Sequence, residues 1–235
     1  MGAQWKHKGR QDAANARGRI FSKLAKEIAL AARGGADPAH NAALRVMVEA
    51  AKKASMPRDT LERAIKKGAG LLDGAAQYET VTFEGFAPHR VPVIVECLTD
   101  NKNRTTPNLR VLFRKGQLAT SGAVSWDFAH LGFIDAAASD GTADAETAAI
   151  EAGAQDFEVD AEEGTTRFYT EPGDLDAVSR ALGGLGWSVS GMRLGWRAKN
   201  PVKLDDAAQR EEVEAFLAAL DEDDDVQHLY VGLEG

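Results

Sequence analysis

Fifteen lysines and arginines sit among the first 70 residues of this 235-residue chain, against six aspartates and glutamates. The last stretch, Leu131–Gly235, reverses the balance with 7 cations against 24 carboxylates, so the net charge of −8 hides a basic head on an acidic body. A split of this kind points to a polyanion, most often nucleic acid, contacted by one end of the protein. The charge is also sorted. On a helix of 100° per residue, Arg19, Lys23, Lys26 and Arg33 fall on an arc of about 80°, opposite Ile20, Phe21, Leu24, Ile28 and Ala31 on an arc of about 100°. Arg17 precedes that row. Lys52 and Lys53 extend the basic surface on a second helix, and Arg58, Arg63, Lys66 and Lys67 on a third. Lys6, Lys8 and Arg10 lie on an N-terminal arm of the kind that settles into a groove or along a backbone. Trp5 beside them either stacks on a base or tucks against the helices.

Other constellations could do chemistry. Thr99–Thr105 joins a strand to a helix whose cap is read as Asn103 or a following Thr, with Pro107 in the first turn. With Arg104 adjacent, this run is either a phosphate contact at a helix N-terminus or a structural turn in which Asp100 and Asn101 bond their own backbone. Asp221–Asp225 lacks the alternating ligands and central glycine of a calcium loop, and is expected to be a solvated run that ends the preceding helix. The histidines His7, His40, His89, His130 and His228 are scattered, and none reaches Cys97 or another histidine at metal-ligand spacing, so no metal is expected. Gly183-Gly184-Leu185-Gly186 is not a dinucleotide fingerprint, and no phosphate-binding P-loop occurs, so no cofactor is expected. No nucleophile stands in a motif with a base, and the chain reads as a binding protein rather than an enzyme.

The elements that must position these residues follow from periodicity. One cysteine cannot form an internal disulfide, and the apolar stretch around Val91–Leu98 is too short to span a bilayer, so a cytoplasmic protein without a membrane partner is expected. Asp12 is a candidate cap for a helix running to Arg33, and Gly34-Gly35 stops it. A second helix follows Asn41 with Leu44, Met47, Val48 and Ala51 inward. A third runs from Pro57 to Lys67 with Leu61, Ala64 and Ile65 inward. Strands are predicted at Tyr78–Glu84, Val91–Thr99 and Val124–Phe128, with a helix around Leu109–Phe113. From Gly132 the order is strand–helix–strand–strand–helix–strand, the split βαβ arrangement of ferredoxin-like domains. A helix over Asp205–Leu220 and a strand over Val226–Val231 complete the first set. The expected fold class is α+β: a three-helix N-terminal domain (1–74) and two small ferredoxin-like domains, with 131–203 inserted into 75–130 plus 204–235.

Several stretches resemble one family, the YebC/PmpR-type proteins with their mitochondrial relative, the translational activator of cytochrome c oxidase. They include Gly18-Arg19-Ile20-Phe21-Ser22-Lys23-Leu24, Met56-Pro57-Arg58-Asp59, Glu62-Arg63-Ala64-Ile65-Lys66-Lys67-Gly68 and Tyr78. Phe83-Glu84-Gly85-Phe86, Leu98-Thr99-Asp100-Asn101-Lys102-Asn103-Arg104-Thr105, Ser121-Gly122-Ala123-Val124 and Asp223-Asp224-Asp225-Val226-Gln227 follow in the family's order. The resemblance implies a helical domain, two α+β domains and a nucleic-acid-binding regulator of gene expression. One form is a DNA-binding transcriptional regulator; the alternative is a ribosome-associated translation factor that binds ribosomal RNA. A third reading, from the charge split alone, is a protein-interaction module that engages a basic partner through its acidic domains. The chain departs from the family at Gln4-Trp5-Lys6-His7-Lys8-Gly9-Arg10, at Ala87-Pro88-His89-Arg90 where the family has Gly-Pro-Gly-Gly, and at a shortened double glycine near Gly116.

Overall fold

The computed structural model describes residues 13–72, 77–139, 144–161 and 164–234. Trp5, Lys6, Lys8, Arg10 and the candidate cap Asp12 lie outside them. The chain forms two compact units, one of them Ala129–Arg197, which leaves and rejoins the other after Phe128 and before Ala198.

In the larger unit the chain opens with three helices, α1 (Ala13–Ala32), α2 (Ala42–Lys53) and α3 (Arg58–Gly68). Their apolar positions recur at helical spacing and meet in one core built on Ile28, Ala32, Leu44, Ala51, Met56 and Ala64. Asn41 caps α2, its Oδ1 accepting the Leu44 N–H at 3.0 Å while its Nδ2 donates to the Ala31 carbonyl at 2.8 Å. One side chain thus starts α2 and ties it to the end of α1. α1 and α3 touch backbone to backbone at Gly68, where an added Cβ would stand 2.1 Å from the Ala29 carbonyl oxygen.

A four-stranded antiparallel sheet follows, in the order β3-β1-β2-β8. Its strands are β1 (Glu79–Phe86), β2 (Pro92–Thr99), β3 (Gln117–Leu118) and β8 (Val226–Val231). β2 is central and buried at every residue except Glu96, in keeping with its largely apolar sequence around Val93-Ile94-Val95. Val93, Val95 and Cys97 pack with Leu109 of α4 (Lys102–Leu112) and with Val213, Phe216, Leu217 and Leu220 of α7 (Ala207–Asp221). Phe113 meets Phe216 edge to face at 5.2 Å.

Two local expectations change. α4 is capped by Asn101, whose Oδ1 accepts the Arg104 N–H at 3.2 Å, so the helix starts earlier than a cap at Asn103 allows and Pro107 stands inside it. Val124 is not in a strand: Ser125–Asp127 forms a 3₁₀ turn, and β4 begins at Phe128.

In the second unit, β4 (Phe128–Ala138), α5 (Ala145–Ala152), β5 (Asp156–Asp160), β6 (Thr165–Thr170), α6 (Leu175–Gly184) and β7 (Trp187–Ala198) build a sheet of order β5-β6-β4-β7. The expected βαββαβ succession is present, and its core gathers Ile134, Phe168, Val178, Leu182 and Trp187. On β4, Asp135 binds Arg167 at 2.6 Å and Arg193 at 3.2 Å. Burial alone would raise its carboxyl, but the two guanidinium groups hold it below the ordinary range.

Candidate nucleic-acid interface

The cation row of α1 meets the loop that follows α7. Lys23 Nζ donates to Asp221 Oδ1 and to the Asp221 carbonyl, both at 2.9 Å. One turn on, Lys26 Nζ donates to Asp225 Oδ1 at 2.7 Å, to the Asp224 carbonyl at 2.6 Å and to the Leu98 carbonyl at 3.2 Å. Arg19 stands 3.7 Å from Glu222 at the start of the row. The Lys23 and Lys26 side chains are only 17% and 14% exposed. A stripe of cations at intervals of three and four residues is matched by carboxylates of the same chain. Lys23 and Lys26 therefore do not face solvent as the helical wheel alone suggests.

Asp225 is the hub. Its side chain is 5% exposed, and it takes the Arg104 guanidinium on both oxygens at 3.0 and 3.1 Å and the Thr105 hydroxyl at 2.8 Å. The Thr99 hydroxyl lies 3.3 Å away and also accepts the Asn101 N–H at 2.9 Å. Burial pushes this carboxyl up; Lys26, Thr105 and Arg104 together pull it below the usual carboxylate range. The same bond to Asp225, with Asp100 beside it, raises Arg104. One expectation is corrected here. Asp221–Asp225 is no solvated helix end, because its first and last carboxylates seat α1 and α4. Arg104 spends its Nη2 on both Asp225 oxygens and on Asp100, while its side chain stays 50% exposed. The Thr99–Thr105 run is a structural turn around a buried carboxylate.

The remaining candidates stay on the surface. Arg17, Arg33, Lys53, Arg63 and Lys66 are exposed. Lys52 pairs with Glu49 and Arg58 with Glu62 within their own helices, in exposed contacts that water and phosphate readily displace. On α3, Arg63, Lys66 and Lys67 project opposite Leu61, Ala64 and Ile65, the arc that meets the helical core. Lys67 Nζ donates to the Tyr78 hydroxyl at 3.0 Å. Lys67 and Arg33 line an open cleft of about 640 Å³ with Tyr78, Glu79 and Asp100. Both carboxylates there have cations of their own, Lys102 at 2.7 Å and Arg104 at 3.1 Å.

Sequence reasoning missed a second buried carboxylate. Glu84 on β1 is 7% exposed and accepts three backbone N–H groups, from Gly122 at 2.7 Å, Val124 at 2.8 Å and Ser125 at 2.9 Å. Burial opposes its charge, yet those donors leave the carboxyl below its ordinary value. The only sequence signal is an acidic residue on a strand with mostly apolar neighbours, and that pattern names no partner.

Residues 3–71 match the family described as the TACO1/YebC protein N-terminal domain, and residues 78–233 that of the TACO1/YebC second and third domain. A relative from a Polaromonas species is 61% identical over the full length of both chains, and one from Pseudomonas fluorescens is 62% identical, again over both full lengths. A Bdellovibrio bacteriovorus relative is 50% identical over 98% of this chain and 99% of its own. All three bear the name "probable transcriptional regulatory protein". Among solved structures, a conserved hypothetical protein from Aquifex aeolicus superposes with a TM-score of 0.83 at 42% identity, covering 99% of this chain and 96% of that one.

Proposed function

This chain belongs to the TACO1/YebC family, and from that premise we propose that it is a DNA-binding regulator of transcription whose helical segment grips the phosphate backbone. The observation that carries this reading is that eight of the expected cations, on α1–α3 and just after α1, remain outside the α1–α7 contact: Arg17, Arg33, Lys52, Lys53, Arg58, Arg63, Lys66 and Lys67. Lys6, Lys8 and Arg10 join them in the proposal. Arg and Lys contacts to phosphate supply affinity and register, and base contacts would add any preference for sequence. The acid-rich remainder repels a polyanion and leaves the basic helices as its site, and the name borne by the relatives supports a regulatory rather than a catalytic role.

Fluorescence anisotropy of a labelled 24-base-pair duplex across a salt series tests the reading. With about six phosphates neutralised, log affinity falls against log salt with a slope of about −5. A slope near zero would refute a charge-driven grip. The triple reversal Lys53→Glu, Arg63→Glu, Lys66→Glu touches no residue of the α1–α7 contact and is expected to weaken binding by at least tenfold. Unchanged binding by this variant would exclude α2 and α3 as the gripping surface.

A further inference from the structure

Trp126 is 68% exposed, which is unusual for the largest apolar side chain. Its surroundings hold it still. The indole N–H donates to the Ala123 carbonyl at 3.0 Å, which fixes the ring and leaves its π faces as what it presents to solvent. The backbone on its N-terminal side is pinned by the three N–H groups that Glu84 accepts. On its C-terminal side, Lys199 Nζ donates to the Trp126 carbonyl at 3.1 Å, and the Lys199 N–H to the Asp127 carbonyl at 2.8 Å. A buried carboxylate and a returning strand therefore converge on a surface turn whose outward product is one rigid aromatic plate. Such rigidity lowers the entropy lost when a ligand is held.

We propose that Trp126 is a stacking platform for an unpaired nucleobase, with the Lys199 ammonium meeting the adjoining phosphate. This rests on the nucleic-acid reading above and deepens it by adding a base contact to the backbone grip. The surroundings favour a base over an apolar protein surface. Ser121, Gly122, Ser125 and Asp127 beside it in the chain are polar or small, and Lys199 is bonded to its carbonyl, surroundings that suit a nucleotide better than an apolar partner. An indole whose N–H is already used offers a π face, which every base can meet. An exposed ammonium supports the charge of the strand.

The test uses the full chain and two labelled single strands: a dodecamer of deoxythymidine and an abasic dodecamer of equal charge. Trp126→Ala is expected to weaken the thymidine strand about tenfold, to leave the abasic strand unchanged, and to keep the slope of log affinity against log salt. Trp126→Phe is expected to restore most of the lost affinity, and matched thermal melts show that both variants fold. If Trp126→Ala binds the thymidine strand as tightly as the parent, the stacking platform is refuted and the indole is left for a protein partner. If Trp126→Ala loses both strands equally, the residue acts without stacking and the proposal also falls. A parent protein that binds neither strand nor the duplex overturns the nucleic-acid reading itself. One that binds the duplex and the abasic strand but gains nothing from bases overturns only the platform.

Discussion

Replacing Asp225 by Asn keeps the shape of the side chain and removes the charge that Lys26 and Arg104 share. Breaking a buried ion pair by deleting one partner costs about 3–5 kcal/mol. Lys26 is 14% exposed and loses nearly its full share. The Arg104 side chain is 50% exposed, so solvent screens its part to under about 1 kcal/mol. The Thr105 hydroxyl keeps an acceptor in the new amide. A loss of about 3 kcal/mol results, and for a unit of this size it lowers Tm by about 6–12 °C. Thermal and urea unfolding of the parent, Asp225→Asn, Lys26→Met and the double variant measure it. Since the two residues act as a unit, the double variant should recover at least about 1.5 kcal/mol relative to the sum of the singles. The advantage also has a pH signature. Asp225 is lowered in the folded state, so its stabilisation is complete above the ordinary carboxylate range near 4 and is lost as pH falls through the lowered native value. Parent and Asp225→Asn therefore converge in acid. A coupling energy near zero, or a gap between the two that stays constant from pH 7 to pH 3, would refute the buried ionic hub.

Three further outcomes follow from the geometry. Gly68→Ala forces a methyl group against the Ala29 carbonyl and should cost about 2 kcal/mol in urea denaturation by prising α3 from α1; a neutral result would mean that the helix pair slides freely. Glu84→Gln leaves one of three backbone donors facing an amide N–H₂, and should speed amide exchange at Gly122, Val124 and Ser125 about thirtyfold, the equivalent of about 2 kcal/mol. The parent shows the same loosening only as pH drops through the lowered Glu84 value, because its stabilisation is present above the usual carboxylate range. Cys97 is fully buried, and burial together with Asp223 and Asp225 pushes its thiol up to about 12; a disulfide reagent at pH 8 should leave it unlabelled in the folded protein and label it fully in urea.

Local patterns in the chain were enough to give the helices, the core strands and the βαββαβ unit. Leu44, Val48 and Ala51 repeat at helical spacing, Asn41 is a strong cap, and Val93-Ile94-Val95 forms a β-branched run suited to a buried strand. What stayed hidden is partner choice over long separations. Nothing near Lys26 distinguishes an ammonium aimed at phosphate from one aimed at Asp225, 199 positions later. Counting charge by segment treats head and body as independent, whereas four of the expected phosphate ligands, Arg19, Lys23, Lys26 and Arg104, are matched by carboxylates at 221–225. The cap at Asn101 is hidden because Asn101, Asn103 and the following threonines stand in one polar run, and only the buried Thr99 and Thr105 hydroxyls fix which one turns the chain. Trp126 was hidden because a lone aromatic in a short turn carries no periodic signal.

The 198 positions that separate Asp221 from Lys23 also set an order of events during synthesis. The three N-terminal helices share a core of their own, and all of its residues are made long before the carboxylates at 221–225. The carboxylates that seat α1 arrive last. At about 5–20 residues per second, roughly 10–40 s pass between the two. During that interval Lys23 and Lys26 stand without the carboxylates that seat them in the finished fold.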